Sequence, residues 1–361
     1  MKIAQIAPLI ERCPPRLYGG TERIVSYLTE ELVRMGHDVT LFASGDSLTS
    51  AELVPCSRVA LRLDESVRDP LPYHVAMMEE VRRRADDFDV LHFHIDLLHF
   101  PLVQPFVRRT LTTLHGRLDL PDLTPFYAAF PSTPVVSISE DQRRPLPHAH
   151  WVATVLHGLP RDLLPYRPRS DGYLAFLGRI SPEKRPDLAI EIATRADRRL
   201  RIAAKVDTVD RAYWNEVIAP MVDANPNVEF IGEIDETRKA EFLGGADALL
   251  FPIDWPEPFG LVMIEAMACG TPVIAFRRGS VPEVIENGLT GLIVDSTDEA
   301  VEAVRRLATL DRAKVRRRFE ARFTAERMAQ DYLEVYRSLA DDLGTTPRPT
   351  DRTRLHAVAV A

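Results

Sequence analysis

An alternation of short apolar runs with longer amphipathic stretches, which occurs twice along the chain, constrains the fold more than any other feature. Amphipathic stretches such as residues 25–35 and 75–85 separate the apolar runs of the first half. These runs cover residues 3–8, 38–43, 90–93, 111–114 and 135–138. Short apolar runs joined by helix-length segments predict βαβ units and a parallel sheet. The first half is therefore expected to form one α/β domain.

The alternation restarts after residues 160–170, where three prolines and four charged residues stand between apolar segments. Such a composition is typical of an interdomain linker. A helix-like stretch at 186–195 and a second set of apolar runs predict a second parallel sheet, the runs being 173–177, 200–204, 228–231, 248–251, 272–275 and 291–294. A length of 361 residues also suits two domains, at roughly 150 residues per domain. We predict domains at 1–159 and 160–325, a helix at 326–343 and a poorly ordered tail at 344–361.

Composition limits the classes of partner and the compartment. A net charge of -8 argues against the excess of basic residues that nucleic-acid binding requires. The three cysteines lack CxxC spacing, and neither a leader peptide nor an apolar run of ~18 residues is recognisable. We therefore expect a cytoplasmic protein without a transmembrane segment. The basic stretches 82–84 and 312–322 leave open a peripheral contact with the inner membrane face, although solvated helix faces are the favoured interpretation.

A Gly-Gly pair at Gly19 and Gly20 lies between the first predicted strand and the first predicted helix. Glycines at such a turn let the backbone approach a ligand closely, and the free amides of a helix start favour an anion. The pair predicts a phosphate contact, with a tight turn that binds nothing as the alternative. No GxGxxG motif follows the strand, so a nicotinamide dinucleotide is not indicated.

Two cations, Arg179 and Lys184, follow the strand predicted at residues 173–177. Residues that leave a parallel strand at its carboxyl end lie at the usual ligand edge of the sheet. Arg179 and Lys184 could neutralise a diphosphate there, Arg by a bidentate fork and Lys as a point charge. The alternative is a set of surface salt bridges with Glu183 or Asp187.

Residues 257–272 carry the most specific pattern. Because Pro258 disfavours helix at Glu257, that carboxylate should lie in a loop before a helix that Gly270 ends. The amides of residues 259–261 would then be free helix-start donors for phosphate or sugar oxygens. Glu265 lies on the apolar helix and needs a partner, which could be ribose hydroxyls or a neighbouring Arg or Lys.

The Glu-x7-Glu spacing of Glu257 and Glu265, with PFGLVMIEAMACGTPVIA around it, resembles the donor-site signature of family 4 glycosyltransferases. The Gly-Arg and Glu-Lys pairs within 178–184, the Gly-Gly turn at 19–20 and Phe-Ile-Gly at 230–232 also match. The resemblance therefore covers nearly the whole chain.

This resemblance implies a GT-B fold, in which two Rossmann-like domains with parallel sheets face each other across a cleft. The N-terminal domain would take the acceptor, the C-terminal domain the nucleotide-sugar donor, and the C-terminal helix would cross back to the N-terminal domain. The resemblance further implies a retaining hexosyltransferase without a metal at the phosphates and without a cofactor, since the nucleotide sugar is a substrate. It does not identify the sugar, the base or the acceptor.

The resemblance also implies residue roles. Arg179 and Lys184 would contact the diphosphate, Glu265 the ribose, and Glu257 with the amides of 259–261 the donor sugar and its phosphate. Ile234 and Glu236 would lie beside the base. Gly20 would approach the phosphate from the opposite domain, and His115 matches the active-site histidine of the family. The implied catalytic residues are His115, Arg179, Lys184 and Glu257. The implied donor-binding residues are Gly19, Gly20, Gly178, Ile234, Glu236, Pro258, Phe259, Gly260, Leu261 and Glu265.

Other histidines and acidic residues are weaker candidates. His92 and His94 would point to one face of a strand, but no third ligand has suitable spacing, so we interpret them as core or cleft residues. His157 stands where many family members have Asn, and Asp87-x-Asp89 is interpreted as a charged turn.

The predicted function is transfer of a sugar from a UDP- or GDP-linked donor to an unidentified acceptor such as a saccharide, a lipid-linked glycan or a small metabolite. Two alternatives are a nucleotide-sugar epimerase of related fold and a noncatalytic protein that binds sugar nucleotides. Incubation of a nucleotide-sugar donor without an acceptor distinguishes the epimerase from the transferase, because only the epimerase would form an epimerised sugar nucleotide.

Overall fold

The computed structural model describes residues 1–17 and 19–344 and contains two parallel sheets. The first sheet has the order β3-β2-β1-β4-β5-β6-β7 and the second β10-β9-β8-β11-β12-β13. The first sheet comprises β1 Lys2–Ile6, β2 Asp38–Ser44, β3 Glu52–Ser57, β4 Val90–Phe93, β5 Thr110–Thr113, β6 Val135–Ser137 and β7 Trp151–Thr154. The second comprises β8 Tyr173–Arg179, β9 Leu200–Lys205, β10 Val228–Gly232, β11 Ala246–Phe251, β12 Val273–Phe276 and β13 Gly291–Val294.

Helices connect the strands and cover the sheets. The N-terminal domain, built on the first sheet, contains α1 Gly20–Arg34, α2 Leu71–Arg84, α3 Phe100–Val103, α4 Leu123–Ala129 and α5 Glu140–Arg143. The C-terminal domain begins with α6 Pro186–Arg195, α7 Arg211–Tyr213, a π-helix at Trp214–Ile218, α8 Ala219–Asp223 and α9 Glu236–Gly244. It continues with α10 Leu261–Ala268, α11 Val281–Val284, α12 Thr297–Arg305 and α13 Arg312–Arg322, and α14 Ala325–Gly344 follows.

The strands predicted from apolar runs are all present, and two further strands, β3 and β7, were missed. Both lie at an edge of the first sheet, where they are partly exposed. An edge strand has only one neighbour and needs no continuous apolar run, and it tolerates a proline such as Pro55. The two missed strands are thus partly exposed strands, whose sequences have no clear apolar pattern.

The carboxyl ends of both sheets open on one cleft. The segment before α1 and the end of β5 contribute from the N-terminal domain, and the ends of β8, β9 and β11 from the C-terminal domain. Ligands of open parallel sheets bind at this edge. The predicted architecture of two parallel-sheet domains that face each other across a cleft is therefore confirmed.

Helix α14 crosses back to the N-terminal domain and packs on α1. Tyr332 and Tyr336 of α14 are completely buried and belong to the same apolar cluster as Leu28 and Leu32 of α1. This confirms the predicted crossing helix. In the described part of the chain, no helix has both the length and the apolar character needed to cross a bilayer.

The predicted domain boundary at 159/160 falls between the end of β7 and the start of β8 and stays a prediction. Of the predicted tail, residues 345–361 lie outside the described residues.

Candidate active site

The interdomain cleft has a volume of about 790 Å³ and collects nearly all of the predicted site residues. Residues on its wall include Gly19, Gly20, His115, Gly178, Arg179, Lys184, Ile234, Glu257, Pro258, Phe259, Gly260, Leu261 and Glu265. Glu236 is not among the lining residues. Segments far apart in the sequence thus meet at one site.

The Gly-Gly turn brings the N-terminal domain against the loop before α10. Gly19 has a φ of 151°, and a Cβ atom there would lie 2.8 Å from Cβ of Pro15, so a side chain would not fit. A Cβ on Gly20 would lie 3.6 Å from Cδ1 of Leu261. The backbone at Gly20 is therefore close to the predicted donor site of the opposite domain.

Arg179 and Lys184 both lie in the cleft, and each has a carboxylate partner. Arg179 is the last residue of β8 and pairs with Glu183 and with Asp210, the latter at 3.3 Å. Lys184 pairs with Glu257. The salt bridge to Glu183 that we weighed as the alternative is thus present, although the guanidinium still lines the cleft.

The aromatic ring of Trp255 completes the surroundings of Lys184. The Lys184 Nζ atom lies 4.7 Å from the Trp255 ring centroid, and Trp255 Nε1 donates a 3.1 Å hydrogen bond to Glu257 Oε2. A cation over an indole face is held by the negative face of the ring. The sequence pattern did not indicate Trp255 as a site residue.

The loop and helix at 257–272 form largely as predicted. Glu257 is buried in the loop, and α10 starts at Leu261 and ends before Gly270, which has a φ of 81°. Gly260 takes the left-handed conformation with a φ of 77° and turns the chain into the helix. Over residues 1–17 and 19–344, no acceptor bonds to the main-chain amides of 259–262. These amides are free helix-start donors beside Lys184.

Glu265 has a cationic partner, which is the second of the two possibilities weighed from the sequence. Lys239 Nζ lies 2.7 Å from Glu265 Oε1 and 3.5 Å from Glu236 Oε2. Glu236 also pairs across the domains with Arg23 of α1. No sequence signal pointed to Lys239 or Arg23, because both partners come from other elements.

His115 follows β5 and lines the cleft. Its Nε2 atom lies 2.9 Å from Nδ1 of His94, and its ring is stacked on that of His157 with the centroids 5.2 Å apart. Burial lowers the pKa of His115 to about 3 and lowers that of His94 well below its usual value. Both rings are therefore neutral at neutral pH.

His92 has both ring nitrogens in hydrogen bonds. Nδ1 lies 2.7 Å from the hydroxyl of Tyr336, and Nε2 lies 2.8 Å from that of Thr113. His92 is fully buried, in agreement with its interpretation as a core residue.

Several arginines of the two basic stretches form ion pairs with neighbouring acids. Arg82 and Arg83 both contact Glu79, and Arg318 and Arg322 both contact Glu286. The stretch 82–84 fits the interpretation as a solvated helix face. In the stretch 312–322, Arg312 and Arg316 instead donate to main-chain oxygens of neighbouring segments, so this helix is only partly solvated.

Two parallel-sheet domains around a cleft, with the loop before α10 on its wall, define the GT-B class of protein. A model of the "Glycosyl transferases group 1" family matches residues 167–324, and one of "Glycosyltransferase Family 4" matches residues 18–175. The two matches together span both domains. The chain belongs to the family 4 glycosyltransferases with a GT-B fold.

Among curated proteins, the D-inositol 3-phosphate glycosyltransferase of Geodermatophilus obscurus is 31% identical over 185 residues. The matched part covers 47% of this chain and 41% of that relative, so it spans less than half of the relative's length.

Two solved structures are similar over nearly the whole chain. Sucrose-phosphate synthase from Thermosynechococcus elongatus has a TM-score of 0.77 at 20% identity, covering 95% of this chain and 100% of the other. Alr3699/HepE from Anabaena, in complex with UDP and glucose, has a TM-score of 0.70 at 17% identity, covering 94% and 100%. At these identities the likeness shows the fold.

Proposed function

We propose that this protein is a retaining glycosyltransferase that moves a hexosyl group from a nucleoside-diphosphate sugar to an acceptor hydroxyl. The observation that carries the proposal is the convergence of Arg179, Lys184 and the free amides of residues 259–262 on one cleft wall. Cations and oriented amides of this kind stabilise the negative charge that develops on a diphosphate leaving group.

The carboxylate partners of the two cations are compatible with this role. Glu257 and Trp255 hold the Lys184 ammonium, and Glu183 and Asp210 hold the Arg179 guanidinium, so neither side chain has to be ordered when a ligand arrives. Such preorganisation lowers the entropic cost of binding. In the proposed reaction the acceptor attacks the face from which the diphosphate leaves, and no enzyme nucleophile takes part.

Glu265 can serve the ribose even though Lys239 is bound to it. A carboxylate has about four lone-pair sites, and the lysine contact at Oε1 occupies one of them. The remaining sites can accept hydrogen bonds from ribose hydroxyls. The UDP held by the Anabaena neighbour supports a nucleoside-diphosphate donor for this chain as well.

A thermal-shift screen with UDP, GDP and their sugars tests the donor class, because a ligand that binds the native state raises its melting temperature. The stabilising donor is then incubated with a panel of monosaccharide and polyol acceptors. Nucleoside diphosphate release that depends on an acceptor, with a glycosylated product, supports transfer. An epimerised sugar nucleotide formed without an acceptor, or no stabilisation by any nucleotide, contradicts it.

A further inference from the structure

A buried chain of hydrogen bonds leads from the cleft to the central strand of the first sheet. His115 Nε2 lies 2.9 Å from His94 Nδ1, and His94 Nε2 lies 2.8 Å from Gln5 Oε1. Gln5 is on β1 and completely buried, and His94, which follows β4, is 2% exposed. Neither Gln5 nor His94 is among the described residues that line the cleft, and the hydrogen bond to His115 connects them to it.

The direction of each bond follows from the Gln5 oxygen. This oxygen only accepts, so His94 Nε2 carries the proton of the His94–Gln5 hydrogen bond. A neutral imidazole carries one N–H group, so His94 Nδ1 accepts and His115 Nε2 donates. His115 Nδ1 then has a lone pair. In the described part of the chain Nδ1 has no bonding partner, while His115 lines the cleft.

The crossing helix α14 contacts the Gln5 end of this series of hydrogen bonds. Gln5 Nε2 donates a 3.1 Å hydrogen bond to the hydroxyl oxygen of Tyr336. The Tyr336 hydroxyl can then donate to His92 Nδ1, which lies 2.7 Å away. When the Tyr336 hydroxyl donates to His92 Nδ1, its oxygen accepts from Gln5 Nε2, and the Gln5 carbonyl oxygen is then turned to His94. The opposite amide orientation would reverse every bond and put a proton on His115 Nδ1.

We propose that Gln5 and His94 are positioning residues that fix the tautomer of His115, so that its Nδ1 atom accepts a hydrogen bond from a substrate hydroxyl. Tyr336 of α14 holds the Gln5 amide in the required orientation. The inference rests on the proposed function for the presence of a sugar substrate in the cleft. The tautomer itself is a property of the protein without substrate.

The tautomer is measured by NMR on protein with ¹⁵N-labelled histidine, in the absence of ligand. A ring nitrogen that carries a proton differs in ¹⁵N shift from one with a lone pair, and a His115→Gln variant assigns the signals. We expect the proton of His115 on Nε2. In Gln5→Met, His94 Nε2 loses its acceptor, so His94 should donate from Nδ1 and drive the proton of His115 onto Nδ1.

Turnover separates positioning from a merely structural role. Gln5→Met should lower kcat about tenfold, which corresponds to one lost hydrogen bond in the transition state, and leave the Kd of the nucleoside diphosphate unchanged. Tyr336→Phe should give a mixture of both His115 tautomers. The control Tyr173→Phe removes a buried hydroxyl that donates to the main-chain oxygen of Phe242, outside this network of hydrogen bonds, and should keep the original tautomer.

A His115 proton on Nδ1 in the unmodified protein, or a tautomer that Gln5→Met leaves unchanged, overturns the proposal. A reversed tautomer with undiminished kcat overturns the role of the tautomer in the reaction. Failure of the unmodified protein to transfer any sugar would contradict the proposed function, while the NMR result would still decide the tautomer.

Discussion

Ser139 of the N-terminal domain donates a 2.7 Å hydrogen bond to the main-chain oxygen of Pro258 in the loop before α10. The same hydroxyl caps α5, since it accepts a 3.2 Å hydrogen bond from the amide of Gln142. Both contacts are buried, so one side chain stabilises a helix and fastens the cleft loop to the opposite domain.

We predict that Ser139→Ala lowers the free energy of unfolding by about 1–2 kcal/mol, because a helix cap is lost and a buried carbonyl loses its donor. Urea denaturation of this variant and of Ser139→Thr, which keeps the hydroxyl, measures the effect. Equal stability of the alanine variant and the unmodified protein would refute the dual role.

Charge stabilisation by the cleft cations predicts a large loss of turnover in variants that still fold. Arg179→Ala and Lys184→Ala should each lower kcat by roughly 100-fold, as for loss of one preorganised donor in a transition state. Arg195→Ala, which removes an exposed ion pair with Glu191, is the control and should retain activity. Steady-state kinetics that show no loss in either cleft variant would exclude this role.

The contributions of the Lys239–Glu265 ion pair to stability and to nucleotide binding can be measured separately. Lys239→Met leaves the carboxylate of Glu265, which is 4% exposed, without its cation and should cost about 3–5 kcal/mol of stability. The double variant Lys239→Met/Glu265→Gln removes the charge and should recover most of this stability.

Nucleotide binding should not recover in that double variant, because Glu265 no longer offers a carboxylate to the ribose. Thermal denaturation with and without the nucleoside diphosphate measures both effects. Recovery of the ligand-induced shift together with the stability would show that Glu265 is only a structural partner of Lys239.

Buried neutral histidines predict that the protein loses stability in mild acid. Burial lowers the pKa of several histidines, and that of His99 falls to about 3. The others are His92, His94, His115 and His157. Below pH ~6.5 the unfolded chain takes up protons that the folded chain does not, so each group costs about 1.4 kcal/mol per pH unit. The contribution of the neutral buried histidines to stability is therefore complete above pH ~6.5 and decreases as the pH falls.

Three buried carboxyl groups act in the opposite direction, because burial raises the pKa of Glu11, Glu22 and Asp96. Five histidines outweigh them, so the melting temperature should be clearly lower at pH 5.5 than at pH 7.5. His99→Gln, a substitution outside the cleft, should weaken this pH dependence, because unfolding in mild acid then takes up at most one proton fewer. A melting temperature that is the same at both pH values would be inconsistent with the burial of neutral rings.

The sequence predicted the buried parts of the fold well, since strands such as Val90–Phe93 and the helix Pro186–Arg195 have the predicted bounds. Both are set by local patterns, an apolar run in one case and a proline at the helix start in the other. The edge strands β3 and β7 lack such a pattern because each is only partly buried.

The side-chain partners in the site could not be predicted in the same way. The family pattern located Glu265, but the lysine beside it lies 26 positions earlier on α9, and Arg23 reaches Glu236 from the other domain. Ion pairs of this kind depend on how helices pack, which neither periodicity nor spacing specifies. The hydrogen-bond chain from His115 to Gln5 is likewise visible only once β1, β4 and β5 lie side by side.

The central claim is that Arg179 and Lys184 recognise a diphosphate, and isothermal titration of nucleoside mono- and diphosphates tests it most directly. The unmodified protein should bind the diphosphate at least tenfold more tightly than the monophosphate of the same base. This preference should disappear in the Arg179→Ala/Lys184→Ala double variant. Equal affinity for both nucleotides in the unmodified protein, or a preference that survives in the double variant, would contradict the account.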